Sequence, residues 1–155
     1  MDSKIVIREF NTNDERQLWD VHYSSIHQVC SKDYNKEQIE AWAPADLDQS
    51  IWASKMQSLR PYVAVLGDKV VGYADLQADG EIDHFFVHGD YQSQGVASCL
   101  MNKILKDGSN KQRLYAHVSN TAKPFFEKNG FTVSIMQNVT IRGVVLTNNY
   151  MERIN

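Results

Sequence analysis

Apolar positions along the chain follow two periods, and each change of period marks a new element. Residues 4–10 alternate as a short strand. Leu18, Val21, His22, Ser25, Ile26 and Val29 then recur three or four apart and predict a helix over about 13–30, with Thr12 and Glu15 as its capping box. A linker from Ser31 to Tyr34 leads to a short helix with Ile39 and Trp42 on one face, which Ala43 and Pro44 end. Asp46 to Ser58 forms another, with Ile51, Trp52 and Met56 inward. Strand patterns follow over Pro61–Leu66, Lys69–Gln77 and Glu81–His88. Turns at Gly67–Asp68 and Ala78–Gly80 are too short for crossovers, so these three strands form an antiparallel meander.

The period then changes. Val96, Ala97, Leu100, Met101, Ile104 and Leu105 make one apolar stripe on a helix, and Gly108 suits its C-terminal end. Arg113–Val118 alternates as a strand, free to pair in parallel with the strand before the helix. A helix over about 121–129 takes Pro124 in its first turn and closes at Gly130. Residues 131–137 and 141–151 form a last hairpin. The order predicts an α/β fold: a mixed, mostly antiparallel sheet of six or seven strands, helices on both faces, and a central parallel βαβ unit.

Composition narrows the function classes. A chain of 155 residues is most simply one domain, 1–155. No apolar run reaches the ~20 residues of a bilayer span, and the charged start Met1–Arg8 has no signal-peptide core, so a cytoplasmic protein without a membrane partner is expected. Cys30 and Cys99 lack metal-site spacing, and no metal is expected. A net charge of −3 argues against nucleic acid. Between Lys69 and Lys103 there is no Lys or Arg, while Asp75, Asp79, Glu81, Asp83 and Asp90 fall there. That run reads either as a solvated acidic hairpin or as a site that attracts a cation.

Gln92–Ala97 carries the candidate chemistry. It stands where the long helix begins, and a helix N-terminus offers about four unpaired N–H groups and roughly half a positive charge. Phosphate binds there without a cation. Gly95 lets an anion approach the backbone, Ala97 keeps the first turn free of bulk, and Gln92 or Ser93 can add a donor. Downstream stand Asn120, Ala122, Phe125, Phe126, Gly130 and Phe131.

These two segments resemble the acetyl-CoA motif of the GNAT superfamily of N-acetyltransferases, and within it the small bacterial YafP-like type. The predicted element order is similar to that family's fold over nearly the whole chain. The resemblance implies acetyl-CoA as co-substrate. Phe85, Phe86 and Val87 would pair with the pantetheine arm like an added strand. Gln92, Ser93, Gln94, Gly95, Val96 and Ala97 would hold the pyrophosphate. Asn120 would bond the pantetheine, and Phe125 and Phe126 would flank the thiol or pack beneath it. An amine, of a small molecule or a peptide, would attack the thioester directly. A backbone N–H near Val87 would stabilise the oxyanion.

An alkyl ammonium, with a pKa near ~10, must first lose a proton. Glu81, with Asp83 two residues on, is the candidate base. Many members of the family carry a Tyr where this chain has Phe126, and that Tyr protonates the departing thiolate. Here Tyr150, Tyr115 or His117 could replace it, water could protonate the thiolate, or the protein could be a catalytically weak acyl-CoA-binding regulatory module. A P-loop or Rossmann phosphate binder is disfavoured, because neither GK[ST] nor a full GxGxxG is present. Tyr34 and Trp42 could wall the acceptor, and Arg142 could approach it. Trp19 and Trp52 read as core. His84 and His88 read as structural, and His22 and His27 diverge too far on a helix to share a metal. A monomer or a homodimer fits equally.

Overall fold

The computed structural model describes residues 4–155; of the start Met1–Arg8, residues 1–3 lie outside them. Its central feature is a break in the segment expected to run as one strand from Glu81 to His88. Glu81–Ile82 (β4) and Phe85–Val87 (β5) are separate strands that join different sheets. Around them run β1 (Ile5–Glu9), α1 (Glu15–Ser24), α2 (Lys36–Trp42), α3 (Gln49–Leu59), β2 (Tyr62–Leu66) and β3 (Lys69–Ala74). After them come α4 (Val96–Asp107), β6 (Arg113–Ser119), α5 (Lys123–Lys128), β7 (Thr132–Ile141) and β8 (Val144–Ile154). One sheet has the order β1-β2-β3-β5, the other β4-β6-β8-β7. Every pairing is antiparallel except β4 with β6, the parallel pair of the expected βαβ unit.

The Asp75 carboxylate accounts for the break. One oxygen accepts the His84 N–H at 2.6 Å, and the other accepts the Asp83 N–H at 3.2 Å and the Gln77 side-chain amide at 2.7 Å. Two backbone donors that a continuous ladder would use are thus satisfied by a buried side chain. The chain leaves β6 after Ile82 and rejoins β3 at Phe85.

Helices cover both faces. Val96, Leu100, Met101 and Ile104 of α4 and Phe126 of α5 pack on Ala64, Val71, Leu114, Ala116 and Met151. Leu18 and Val21 of α1 and Trp52, Met56 and Leu59 of α3 pack on Val63, Val70 and Tyr73 of the opposite face. Val63 and Ala64 therefore face opposite layers, as strand geometry requires. A third cluster joins Ile26, Cys30, Tyr34 and Ile39 to Leu146 of β8.

Several expectations are corrected. The helix over 13–30 is α-helical only to Ser24; Ser25–Val29 is a π-turn segment and Cys30–Lys32 a 3-10 turn. The capping box at Thr12 does not form. Asp14 precedes α1, its carboxylate accepts the Asn11 N–H and pairs with Arg8, and Glu15 accepts the Asn13 N–H. The capping box present is Asn35 with Gln38, at the start of α2. Ile51 points outward and is 60% exposed. In the last hairpin the first strand is longer than expected, and the second keeps its length but starts three residues later. Its turn is Arg142–Gly143, both at positive φ, the geometry of a tight two-residue hairpin turn. Among the described residues, no helix is long and apolar enough to cross a membrane.

Candidate active site

The first turn of α4 opens the larger cavity, of about 450 Å³. Gly95 precedes α4 at φ +87, and no side chain caps the helix there. A Cβ on Gly95 would meet nothing within 4 Å, so the backbone faces open space. Ser93 is also left-handed, at φ +61, and two such residues in one four-residue loop turn the main chain around that space. The N–H groups of the first turn are left for an anion. Phe85, Phe86, Val87, Gln92, Ser93, Gly95, Val96, Ala97, Phe125 and Phe126 all line this cavity.

The ladder fixes which groups of β5 face it. His88 N–H bonds Val71 O at 2.8 Å, so in the antiparallel register the bonded pairs are Val71 with His88 and Tyr73 with Phe86. The N–H and C=O groups of Phe85 and Val87 then point out of the ladder, toward the gap left by the divergence of β4 and β5. The side chain of Gln92 donates to Val87 O at 2.9 Å and His88 O at 3.3 Å. Gln92 thus ties the loop to β5.

A second cavity, of about 220 Å³, lies on the far side of that gap. Tyr34, Trp42 and Phe86 give it aromatic walls, and Trp42 meets Tyr34 and Phe86 edge-on. Asp83 is its one carboxylate. The Asp83 Oδ2 lies 2.7 Å from Lys55 Nζ, a half-exposed pair that adds little stability. Such a contact shows that the carboxylate can receive an ammonium. Deeper in, Tyr73 OH bonds His22 Nδ1 at 3.0 Å and His84 Nδ1 at 2.9 Å. Burial, and then the nearby charge of His84, holds His22 well below the usual imidazole range. Burial also lowers His84, against the pull of Asp83. Burial, then Asp75 and Asp83, raises the Tyr73 hydroxyl well above its ordinary value. All three are neutral at pH 7.

A cleft of about 50 Å³ joins the two cavities, and Phe86 and Ser119 line all three spaces. That junction is the point at which the two cavities meet.

The other expected residues fall in different places. Gln94 lies beside the larger cavity without lining it. Asn120 turns away: its side-chain oxygen accepts from Asn149 at 2.9 Å and its N–H donates to Tyr34 OH. Ser119 takes the cavity position, its Oγ accepting the Ala122 N–H at 3.1 Å. Phe126 is 2% exposed and packs edge-on against Phe85 and Phe131, so it forms part of the cavity floor with little of its ring exposed. Glu81 lines none of these spaces; it stands beside Tyr115 in the β4–β6 pair. Tyr115 OH donates to Asp79, Tyr150 OH accepts from Arg113, and Arg142 donates to Ala41 O. Of the thiolate donors considered, His117 alone lines the second cavity and the cleft, with Nδ1 2.8 Å from the Gln137 amide.

Sequence reasoning missed the wall from the π-turn segment. Ser25, Val29, Cys30 and Lys32 line the larger cavity, as does Lys128 of α5, so two lysines supplement the backbone donors. Burial pushes the Cys30 thiol up to about 11, leaving it protonated. His22 and His84 were missed because their shared partner, Tyr73, is 51 residues from one and 11 from the other.

Comparison with known proteins agrees with this geometry. Residues 30–152 match the family model described as an acetyltransferase (GNAT) domain. The chain is 35% identical over 149 residues to the uncharacterized N-acetyltransferase YafP of Escherichia coli (strain K12), covering 96% of this chain and 95% of that protein. It matches the crystal structure of a GCN5-related N-acetyltransferase from Rhodopseudomonas palustris at a TM-score of 0.92 and 29% identity, over 100% of this chain and 98% of the other. It shares its fold with the PaiA N-acetyltransferase of Thermoplasma acidophilum, solved in complex with coenzyme A (TM-score 0.72, 19% identity, 98% of this chain and 99% of the other). The chain belongs to the GNAT superfamily and is a GNAT-type N-acetyltransferase.

Proposed function

We propose that the protein transfers the acetyl group of acetyl-CoA directly to a primary amine bound beside Asp83. The observation that carries this reading is the meeting of two unlike cavities at Phe86 and Ser119. One has an uncapped helix N-terminus, two lysines and an outward-facing strand edge, which suit a pyrophosphate and an amide-bearing arm. The other has aromatic walls and a carboxylate, which suit an alkyl ammonium. The coenzyme A held by the T. acidophilum protein supports the same choice of cofactor.

In the reaction, the bound ammonium first gives up one proton, and the lone pair so freed attacks the thioester carbonyl carbon. The oxyanion forms against the outward N–H of Val87. The C–S bond then breaks, the amine gives up a second proton, and the thiolate leaves. With Phe126 buried, the hydroxyl of Ser119 and the imidazole of His117 are the proton-bearing groups that the cleft offers the departing sulfur. Asp83, at the cavity wall, draws in the ammonium; Glu81 contributes charge from outside it.

The test is thiol release from acetyl-CoA with n-butylamine, phenethylamine, spermidine and lysine amide. Turnover with at least one amine is expected. Tight acetyl-CoA binding with no turnover would instead favour an acyl-CoA-binding regulatory module.

A further inference from the structure

We propose that His22, Tyr73 and His84 act together as a proton relay, and that this relay is the base for the acceptor amine. It rests on the acetyl transfer proposed above. The geometry alone demands one unusual property. Tyr73 has a single hydroxyl proton and lies between two Nδ1 atoms, at 3.0 and 2.9 Å. It donates to one ring, and the other ring must donate Nδ1–H to its oxygen. With both rings neutral, the two histidines are therefore opposite tautomers. One has a free Nε2 lone pair, and the other carries Nε2–H.

Nε2 is the ring nitrogen that each histidine has left to offer the acceptor cavity. His22 and His84 line it, and Tyr73 occupies their Nδ1 atoms. Among the described residues no buried side-chain nitrogen lacks a partner, so neither Nε2 is sealed off. The rings stack at 5.4 Å between centroids, and Trp52 and Phe86 hold His22 in place. Asp83 and Lys55 face His84, Arg142 and His27 face His22, and Asp75 and Asp83 face Tyr73.

The proton balance closes. The amine proton passes to the free Nε2. That ring gives its Nδ1 proton to the Tyr73 oxygen as the Tyr73 hydroxyl proton passes to the other Nδ1. The second ring releases its Nε2 proton to water in the cavity. Both tautomers are exchanged, and no charge stays behind. Neutral, buried imidazoles need not hold the proton; they only pass it on. Tyr73 is a positioning residue, since it touches neither substrate.

Nitrogen-15 NMR of the histidine rings at pH 7 tests the tautomers in the native protein. One Nδ1–H ring and one Nε2–H ring for this pair are expected, and two Nε2–H rings would overturn the relay. Tyr73→Phe keeps both histidines and should lower kcat about 100-fold, with KM for acetyl-CoA and for the fastest amine of the panel within about twofold. His84→Asn, at a half-buried position, carries the same expectation in a different frame. Unchanged kcat in both folded variants would overturn the proposal. Absence of turnover in the native protein would refute acetyl transfer, a result separate from the NMR readout.

Discussion

Two acidic residues two positions apart have different surroundings, and the difference is testable. Asp83 lines the acceptor cavity and already holds an ammonium, that of Lys55, at 2.7 Å; Glu81 lines no cavity. Asp83→Asn should raise KM for the amine about tenfold or more and leave KM for acetyl-CoA unchanged, since it removes a charge attraction made to the substrate. Glu81→Gln should change both by less than threefold. Steady-state kinetics on the two variants separates them, and equal losses would refute this division. Gly95 is a second such position. Any side chain there adopts φ +87, which costs a non-glycine residue about 1–2 kcal/mol. Gly95→Glu also brings a negative charge to the anion site, so acetyl-CoA binding by calorimetry should be lost. Gly95 was legible in the sequence because its role is local: a turn, an open approach and a helix start within six residues.

The β4–β5 break shows what was not legible. Alternation from Glu81 to His88 is that of one strand. The break arises from Asp75, whose carboxylate takes two N–H groups eight and nine residues away. No period in the sequence reports such a bond. The same holds for the end of α1, where the apolar spacing continues through Val29 while the backbone widens into a π-turn. That turn gives the cofactor cavity a wall. Asn120 shows a third limit: its type suits hydrogen bonding, but the sequence does not report that its side chain bonds Asn149 while Ser119 lines the cavity. Asp75→Asn tests the break. An amide at this position can accept only on one side, so Asp83 N–H or His84 N–H loses its partner, and stability should fall by about 1–3 kcal/mol. Urea unfolding measures this, and an unchanged midpoint would show that another group holds the strands apart. Its pH dependence has a definite sign. Burial, against the bonds from Gln77, His84 and Asp83, raises Asp75 to about 6. The folded state then binds more protons than the unfolded chain, whose carboxylates titrate near ~4. Asp75 thus lowers stability as pH rises from about 4 to about 6. Asp75→Asn should lack that slope.

Across the whole molecule, the layers and the order of elements followed from periodicity, because each helix and strand has one buried face that its own residues declare. The acidic run between Lys69 and Lys103 reads differently at this scale. Asp75 binds backbone, Asp79 holds Tyr115 and the Glu81 N–H, and Asp83 lines the second cavity, with Lys55 supplied from α3. A compositional oddity is thus divided among fold and site. Burial alone would raise Asp14, but the Arg8 guanidinium and the Asn11 N–H outweigh it and lower its pKa. This contribution is complete above the ordinary carboxylate range and is lost as pH falls through the lowered Asp14 value. Asp14→Asn should flatten the stability profile in that acid window, as read by urea unfolding at a series of pH values.

The central claim is that the cavity at the start of α4 binds acetyl-CoA. Thermal unfolding with and without it is the most direct test. At ~100 times the dissociation constant a ligand adds about 2.7 kcal/mol, which for a chain of this size raises Tm by roughly 5–10 °C. That rise is expected in the native protein and none in Gly95→Glu. No rise in the native protein at millimolar acetyl-CoA would contradict it.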